Sequence, residues 1–270
     1  MKKAIFRIFL FFVGLYVLVV YYVYASQEDF IFFPTKLSKN YKFEYSQKFE
    51  EVNLKTKDGL TINGLFFPAE NSKGVIYFLH GNADNLSTWG TISELYLNLN
   101  YSVFLIDYRG FGKSQGHIES EQQLIDDAQL GYDFLKNRFA ENQIIVMGYS
   151  IGTGIASALS SKNQPKRLIL MAPYFSLTYE METRFPIFPT FILKYNFENN
   201  KNIANTKCPI TIFHGKEDQL LSYAKSLQLK QFLKKGDTFI ALPNQGHNFI
   251  NENPDFQAEI EKIFNREVYQ

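Results

Sequence analysis

The sequence predicts an α/β fold, a mostly parallel sheet flanked by helices, on three observations. Short apolar runs that lack period-two alternation recur along the chain, as strands buried on both faces do. Amphipathic stretches of helical length separate them. The total of 270 residues suits one large domain of this class.

In chain order, a basic tip comes first. Lys2, Lys3 and Arg7 precede a charge-free stretch from Ile8 to Ala25. As a helix that stretch spans roughly 27 Å, close to the hydrocarbon thickness of a bilayer. Tyr21, Tyr22 and Tyr24 gather at its far end, as interfacial aromatics do. A core helix would need a polar face, and this segment has none. Residues 1–25 therefore read as an uncleaved membrane anchor. A signal peptide cleaved after Val23-Tyr24-Ala25, with secretion of the rest, is the alternative, and the apolar stretch is long for it. The basic tip puts the N-terminus in the cytoplasm and the remaining bulk outside it.

Residues 26–46 read as a linker that docks onto a domain covering 47–270. That domain opens with an antiparallel hairpin: Phe49–Thr56 alternates, Lys57-Asp58-Gly59 turns, and Leu60–Phe67 alternates again. Buried strands follow at 74–79, 102–107, 143–149, 167–172, 209–214 and 238–242. Helical patterns lie near 86–99, 120–138, 151–162, 223–234 and 254–265. One interval, about 178–206, breaks the rhythm. Its middle, Phe185-Pro186-Ile187-Phe188-Pro189-Thr190-Phe191-Ile192-Leu193, is apolar and twice interrupted by proline. It reads either as an irregular connection packed on the core or as a short cap walling an apolar pocket, and its length favours the cap.

Composition excludes several classes. The net charge of +1 argues against a nucleic-acid binder, which needs a basic excess. It averages two objects: residues 1–25 carry +3, and the remaining 245 share 25 basic and 27 acidic groups. The single cysteine, Cys208, excludes an intrachain disulfide framework and multi-cysteine metal sites. The four histidines sit in unrelated loops, so no metal site and no cofactor is implied.

Gly148-Tyr149-Ser150-Ile151-Gly152 matches G-x-S-x-G, a pattern that chance supplies in roughly one chain of this length in fifteen. Context strengthens it: the motif follows the strand Ile144–Met147 and opens a helical stretch. A side chain on either glycine would clash in so tight a turn, which presents Ser150 at the carboxyl edge of the sheet as a nucleophile. A serine hydroxyl needs a base. His247 is chosen, because it lies in the loop between the last strand and the last helix. His80 is read as bracing the neighbouring loop, His214 as structural, and His117 as unpartnered. The imidazole needs a carboxylate, and Asp218 after the strand 210–214 is chosen over Glu217 and Asp107. The resulting order is Ser150, Asp218, His247. Two backbone N–H groups should hold an oxyanion, those of Ile151 and Asn82.

Together these segments resemble the α/β-hydrolase superfamily, and within it the single-pass membrane-anchored serine hydrolases called bud-emergence-like. The resemblance runs from Phe30 to Phe264. It rests on Phe32-Phe33-Pro34, His80-Gly81-Asn82-Ala83, Asp107-Tyr108-Arg109-Gly110-Phe111-Gly112, the serine motif, Cys208-Pro209, His214-Gly215-Lys216-Glu217-Asp218 and Gly246-His247-Asn248. It implies an eight-stranded sheet, a short cap, a retained anchor, and esterase or acyl-thioesterase chemistry. Asp84 stands where the family usually has glycine, and Gln219-Leu220-Leu221-Ser222 replaces its usual valine–proline.

The expected activity is hydrolysis of carboxylic esters or acyl thioesters, lipid-linked ones included, through an acyl-enzyme on Ser150. The acyl group is expected to lie against the cap aromatics. Lysophospholipase or C–C bond hydrolysis by the same triad is one rival, and a non-catalytic membrane scaffold is another.

Overall fold

The computed structural model describes residues 1–266. Its centre is one sheet of eight strands: β1 (Glu50–Lys55), β2 (Thr61–Phe67), β3 (Val75–Leu79), β4 (Ser102–Ile106), β5 (Ile144–Tyr149), β6 (Arg167–Met171), β7 (Ile210–Gly215) and β8 (Thr238–Leu242). The spatial order is β8-β7-β6-β5-β3-β4-β2-β1. Strand β2 runs antiparallel to both its neighbours, and every other pairing is parallel. The expected eight-stranded, mostly parallel sheet is present.

Alternate residues of the central strands feed two cores. Val75, Tyr77 and Leu79 of β3 join one apolar cluster, and Ile76 and Phe78 join the other. The first is closed by a helix over Glu121–Lys136, whose Leu124, Ala128, Tyr132 and Leu135 recur at helical spacing on its buried face. The Ser120 side chain caps that helix by accepting from Gln123 N–H. The helix over Gly152–Lys162 lies on the same face and is buried continuously from Gly152 to Ser160. The second cluster is closed by the helix over Pro254–Arg266, which contributes Phe256, Ile260 and Phe264. Proline at its first position loses no intrahelical bond.

Two helical expectations were too simple. Residues 86–99 form a helix over Leu86–Trp89, a 3-10 turn over Gly90–Ile92 and a helix over Ser93–Leu97. Gly90 lies at the break, where the ring of Tyr45 packs so closely that a side chain would collide with it. Residues 223–234 form a short helix followed by a 3-10 turn.

At the N-terminus a helix covers Lys2–Ala25, buries none of its residues and is long and apolar enough to cross a membrane, a property shared by signal sequences. Residues 26–46 hold elements of their own. A short helix spans Gln27–Ile31, Phe32 is buried against Tyr195, and Phe33-Pro34 pairs in parallel with Ala83-Asp84. Between β6 and β7 lie helices over Leu177–Arg184 and Asn199–Asn205, with a 3-10 turn at Thr190–Ile192. Asn199 seats this insertion: its side chain donates to Thr153 Oγ1 at 3.1 Å and to the Tyr174 carbonyl at 3.0 Å, and accepts from Ser157 at 2.8 Å.

One buried charge fixes the loop after β4. Arg109, 6% exposed, meets buried Asp127 at 2.6 Å and Asp58 of the β1–β2 turn at 2.6 Å. Removing one partner of such a pair costs about 3–5 kcal/mol, because the other charge is left buried and alone. Arg109→Met is therefore expected to lower stability by about that much in urea unfolding, and adding Asp127→Leu to restore a large part of it. A double variant no more stable than the single one would contradict this account.

Candidate active site

Strand β5 ends at Tyr149, and the chain reverses into the following helix through Ser150. Ser150 has φ +52°, a left-handed conformation costly for a residue with a side chain. It is locked there: its N–H donates to Met171 O at 2.9 Å, and its carbonyl accepts from Thr153 N–H at 3.0 Å and Thr153 Oγ1 at 2.6 Å. The flanking glycines allow the crossing. A Cβ on Gly148 would sit 2.7 Å from Ala156 Cβ. One on Gly152 would sit 2.5 Å from the His80 carbonyl oxygen and nearer still to that of Leu79.

Three of the nominated side chains lie in one hydrogen-bonded line. Ser150 Oγ is 3.0 Å from His247 Nε2, and His247 Nδ1 is 2.7 Å from Asp218 Oδ2. The imidazole lies between a hydroxyl that donates to Nε2 and a carboxylate that accepts from Nδ1–H. Tyr149 OH donates to the His247 carbonyl and fixes that loop. Asp218 is held on every side. Oδ1 accepts the N–H groups of Leu220 at 2.9 Å and Leu221 at 2.7 Å. Oδ2 lies 3.2 Å from His214 Nε2, which also donates to Leu221 O at 2.9 Å. Burial alone would raise the Asp218 pKa. The hydrogen bonds from His214 and His247 outweigh burial and hold the carboxyl below the ordinary carboxylate range.

The other candidates fall elsewhere. Asp107 is buried beside His80, with Nε2 to Oδ1 at 3.6 Å, and its Oδ1 accepts Leu86 N–H at 3.0 Å. Burial raises its pKa, with His80 opposing. His80 stacks on Trp89 and bonds the Gly81 carbonyl at 2.7 Å, so both groups brace the loop after β3. Glu217 is exposed. His117, expected to lack a partner, is exposed and pairs with Glu119 at 2.9 Å. The contact of His214 with Asp218 was not foreseen, because three residues lie between them and spacing does not reveal the fold-back.

Asn82 lies at the mouth of the site. Its carbonyl accepts Phe33 N–H at 2.7 Å and its side chain donates to Ile31 O at 2.9 Å. The residues that follow the N-terminal helix thus hold this loop by two bonds. Asp84 has φ +66°, a conformation that suits glycine and that aspartate is among the few other residues to tolerate.

A cleft of about 790 Å³ opens at Ser150 and His247. It is walled by Trp89, Ile92, Leu95, Tyr149, Leu220 and Phe249, with Asp84, Glu94 and Glu252 also lining it. Its lining residues include none from 178–206. The expectation that cap aromatics wall the acyl pocket is thereby corrected. Phe185 and Phe191 point outward, and the cleft runs between the loop after β3 and the segment after β8.

The fold finds counterparts among known proteins. An esterase of Pyrococcus furiosus superposes with a TM-score of 0.69 at 19% identity, covering 87% of this chain and 97% of that one. The chain has the α/β-hydrolase fold. The model of the Hydrolase_4 family, described as serine aminopeptidase S33, matches residues 70–199. That span includes Ser150 but neither Asp218 nor His247. An uncharacterized protein of Mycobacterium tuberculosis is 26% identical over 235 residues, 85% of this chain and 83% of the relative. A lysophosphatidylserine lipase of Macaca fascicularis is 31% identical over 175 residues, 57% of this chain and 44% of the relative.

Two outcomes follow for this α/β-hydrolase-fold site. Gly152→Ala pushes a Cβ into two backbone carbonyls, so it should cost about 1–3 kcal/mol or more, read as a lower urea midpoint. Asp218 gives a pH signature. Its folded pKa is depressed, so the unfolded chain takes up the proton first as pH falls. Its contribution is complete above the ordinary value of 3.8 and is lost as pH falls through that value toward the folded pKa. As pH is taken from neutral to below 3.8 the wild-type urea midpoint should therefore fall further than that of Asp218→Asn. Equal losses would show that Asp218 is not depressed.

Proposed function

We propose that the protein is a serine hydrolase that cleaves carboxylic esters or acyl thioesters through an acyl-enzyme on Ser150. The observation that carries this reading is the hydrogen-bonded line Asp218–His247–Ser150, with separations of 2.7 and 3.0 Å, opening on the cleft. In the first half-reaction His247 Nε2 takes the Ser150 proton while Oγ attacks the carbonyl carbon. The charge on the carbonyl oxygen is held by the N–H groups of Ile151 and Asn82, neither of which is bonded to a protein acceptor among the described residues. His247 then gives the proton to the departing alcohol or thiol. In the second half-reaction water attacks the acyl-enzyme, with His247 again as base, and Ser150 is released. Asp218 keeps its charge throughout and fixes the imidazole tautomer.

The walls of the cleft, with Trp89, Tyr149 and Phe249 among them, support an apolar acyl group. Three carboxylates line it and no lysine or arginine does, which disfavours an acyl group carrying its own anion. The helix at residues 2–25, read as a retained anchor, supports amphipathic and lipid-linked esters as the natural class. The likeness to a lysophosphatidylserine lipase supports the same class. The acidic lining also favours a second reading, hydrolysis beside a free amine, in keeping with the aminopeptidase description of the matching family.

A fluorophosphonate probe should label the full chain at Ser150 and fail on Ser150→Ala. The same substitution should lower kcat/KM for p-nitrophenyl butyrate by about 10⁴-fold or more. An aliphatic acyl ester should be cleaved faster than a hemisuccinate of equal length. If aminoacyl anilides exceed aliphatic esters in kcat/KM, the second reading replaces the first. A folded chain that takes no label defeats both.

A further inference from the structure

Beyond the N-terminal helix, the cap carries large exposed apolar side chains that do not line the cleft. From Phe185 to Leu193 nine residues carry no charge, with Arg184 at one end and Lys194 at the other. Phe185, Ile187 and Phe191 are 56%, 67% and 86% exposed. Side chains of this size on adjoining turns are a patch that water disfavours. The segment is joined to the N-terminal helix. Tyr16 OH donates to Ile187 O at 2.7 Å. Gln27 grips the far side, donating to Ile192 O at 2.7 Å and accepting Lys194 N–H at 3.0 Å. Glu28 pairs with Lys194 at 3.1 Å and accepts from Tyr195 OH at 2.7 Å.

These contacts set a depth. Tyr16 precedes Ala25 by nine residues, about 14 Å along a helix. A helix that crosses a hydrocarbon core of about 30 Å carries such a position near the middle. Ile187 beside Tyr16 then lies among acyl chains. Part of the backbone suits that solvent, in which every N–H and C=O needs a partner. Pro186 and Pro189 have no N–H to satisfy. The N–H groups of Phe185, Phe188, Ile192 and Leu193 donate to the carbonyls of Met181, Phe185, Pro189 and Thr190. Charge resumes at both ends of the segment together, at Arg184, held by Glu180 at 2.9 Å, and at Lys194.

We propose that residues 185–193 are a second membrane contact, buried in the acyl region of the leaflet in which the N-terminal helix ends. The proposal rests on reading residues 2–25 as a retained anchor, and it commits to a fluid bilayer as the occupant of this surface. Its continuity with the anchor carries that choice over a second copy of the chain.

The test uses the full chain in a Cys208→Ala background, with one new cysteine carrying an environment-sensitive fluorophore. Positions are Val17→Cys on the anchor, Ile187→Cys and Phe191→Cys on the cap, and Lys235→Cys at the opposite, amino edge of the sheet. The chains are reconstituted into phosphatidylcholine–phosphatidylglycerol vesicles with or without acyl-chain spin labels. The expected result is loss of emission at 17, 187 and 191 to a comparable extent, with none at 235. Loss at 17 without loss at 187 and 191 overturns the cap contact and leaves the anchor standing. No loss at 17 defeats the anchor reading and this proposal with it. Two cap positions guard against one variant misfolding, and near-ultraviolet circular dichroism matching the unlabelled chain qualifies each.

Discussion

The architecture turns on how closely backbone approaches backbone at Ser150. Strand β5 and the helix after it cross with no room for side chains at Gly148 and Gly152, and the second of these rests on the carbonyls of Leu79 and His80 at the end of β3. That contact joins the serine turn to the loop after β3 without an intervening side chain. The positive φ of Ser150 is the strain this crossing imposes, and the bonds to Met171 and Thr153 hold it. Two adjacent parallel strands, β3 and β5, thus end at one point. Asn82 and Ser150 are brought to the same cleft by backbone geometry rather than by side-chain packing.

Around that point the polar groups are arranged so that few of them can move. Asp218 is fixed by two backbone N–H groups and two imidazoles, which leaves His247 one orientation in which Nδ1 faces the carboxylate. His80 and Asp107 do similar work for the opposite wall, where burial disfavours the Asp107 charge and the His80 ring packs among Trp89, Tyr108 and Phe111. A site whose donors are already oriented loses little to reorganisation when charge develops, which is the physical basis for reading it as catalytic.

What could be read from the sequence divides along the same physical line. Strands such as 75–79 were legible because burial on two faces leaves an unbroken apolar run, whereas 238–242, read as buried, is a partly exposed edge strand. The serine turn was legible because close backbone approach demands glycine at fixed offsets. Ser150, Asp218 and His247 were nominated from the loops they occupy, and the distances bring those side chains within hydrogen-bonding reach. Contacts made by folding back were not legible. His214 reaching Asp218, and Phe33-Pro34 pairing with Ala83-Asp84, leave no periodic trace. The cap was misread for a different reason. An aromatic, proline-broken stretch has the same composition whether it lines a pocket or faces outward, and Phe191 faces outward.

That outward face changes how the N-terminal residues are understood. A helix on a loose linker would let the domain tumble, and the cleft would have no fixed relation to the membrane. Here five of the eight residues after Ala25 are held by the domain. Gln27 and Glu28 bind the cap, Phe32 is buried, and Ile31 and Phe33 bind Asn82 at the mouth of the cleft. One short segment is therefore in contact with both the apolar cap and the loop that offers an oxyanion donor. Arg184 extends the connection by donating to the Leu220 carbonyl, and Leu220 lines the cleft. With residues 2–25 as the proposed anchor, a tilt of the helix would be felt at the cap and at Asn82 together, and the mount would set the cleft's height and direction. On the proposed reading, a hydrolase mounted this way would receive an amphipathic ester with its acyl chain entering from one side, which a freely diffusing domain could select only by chance orientation.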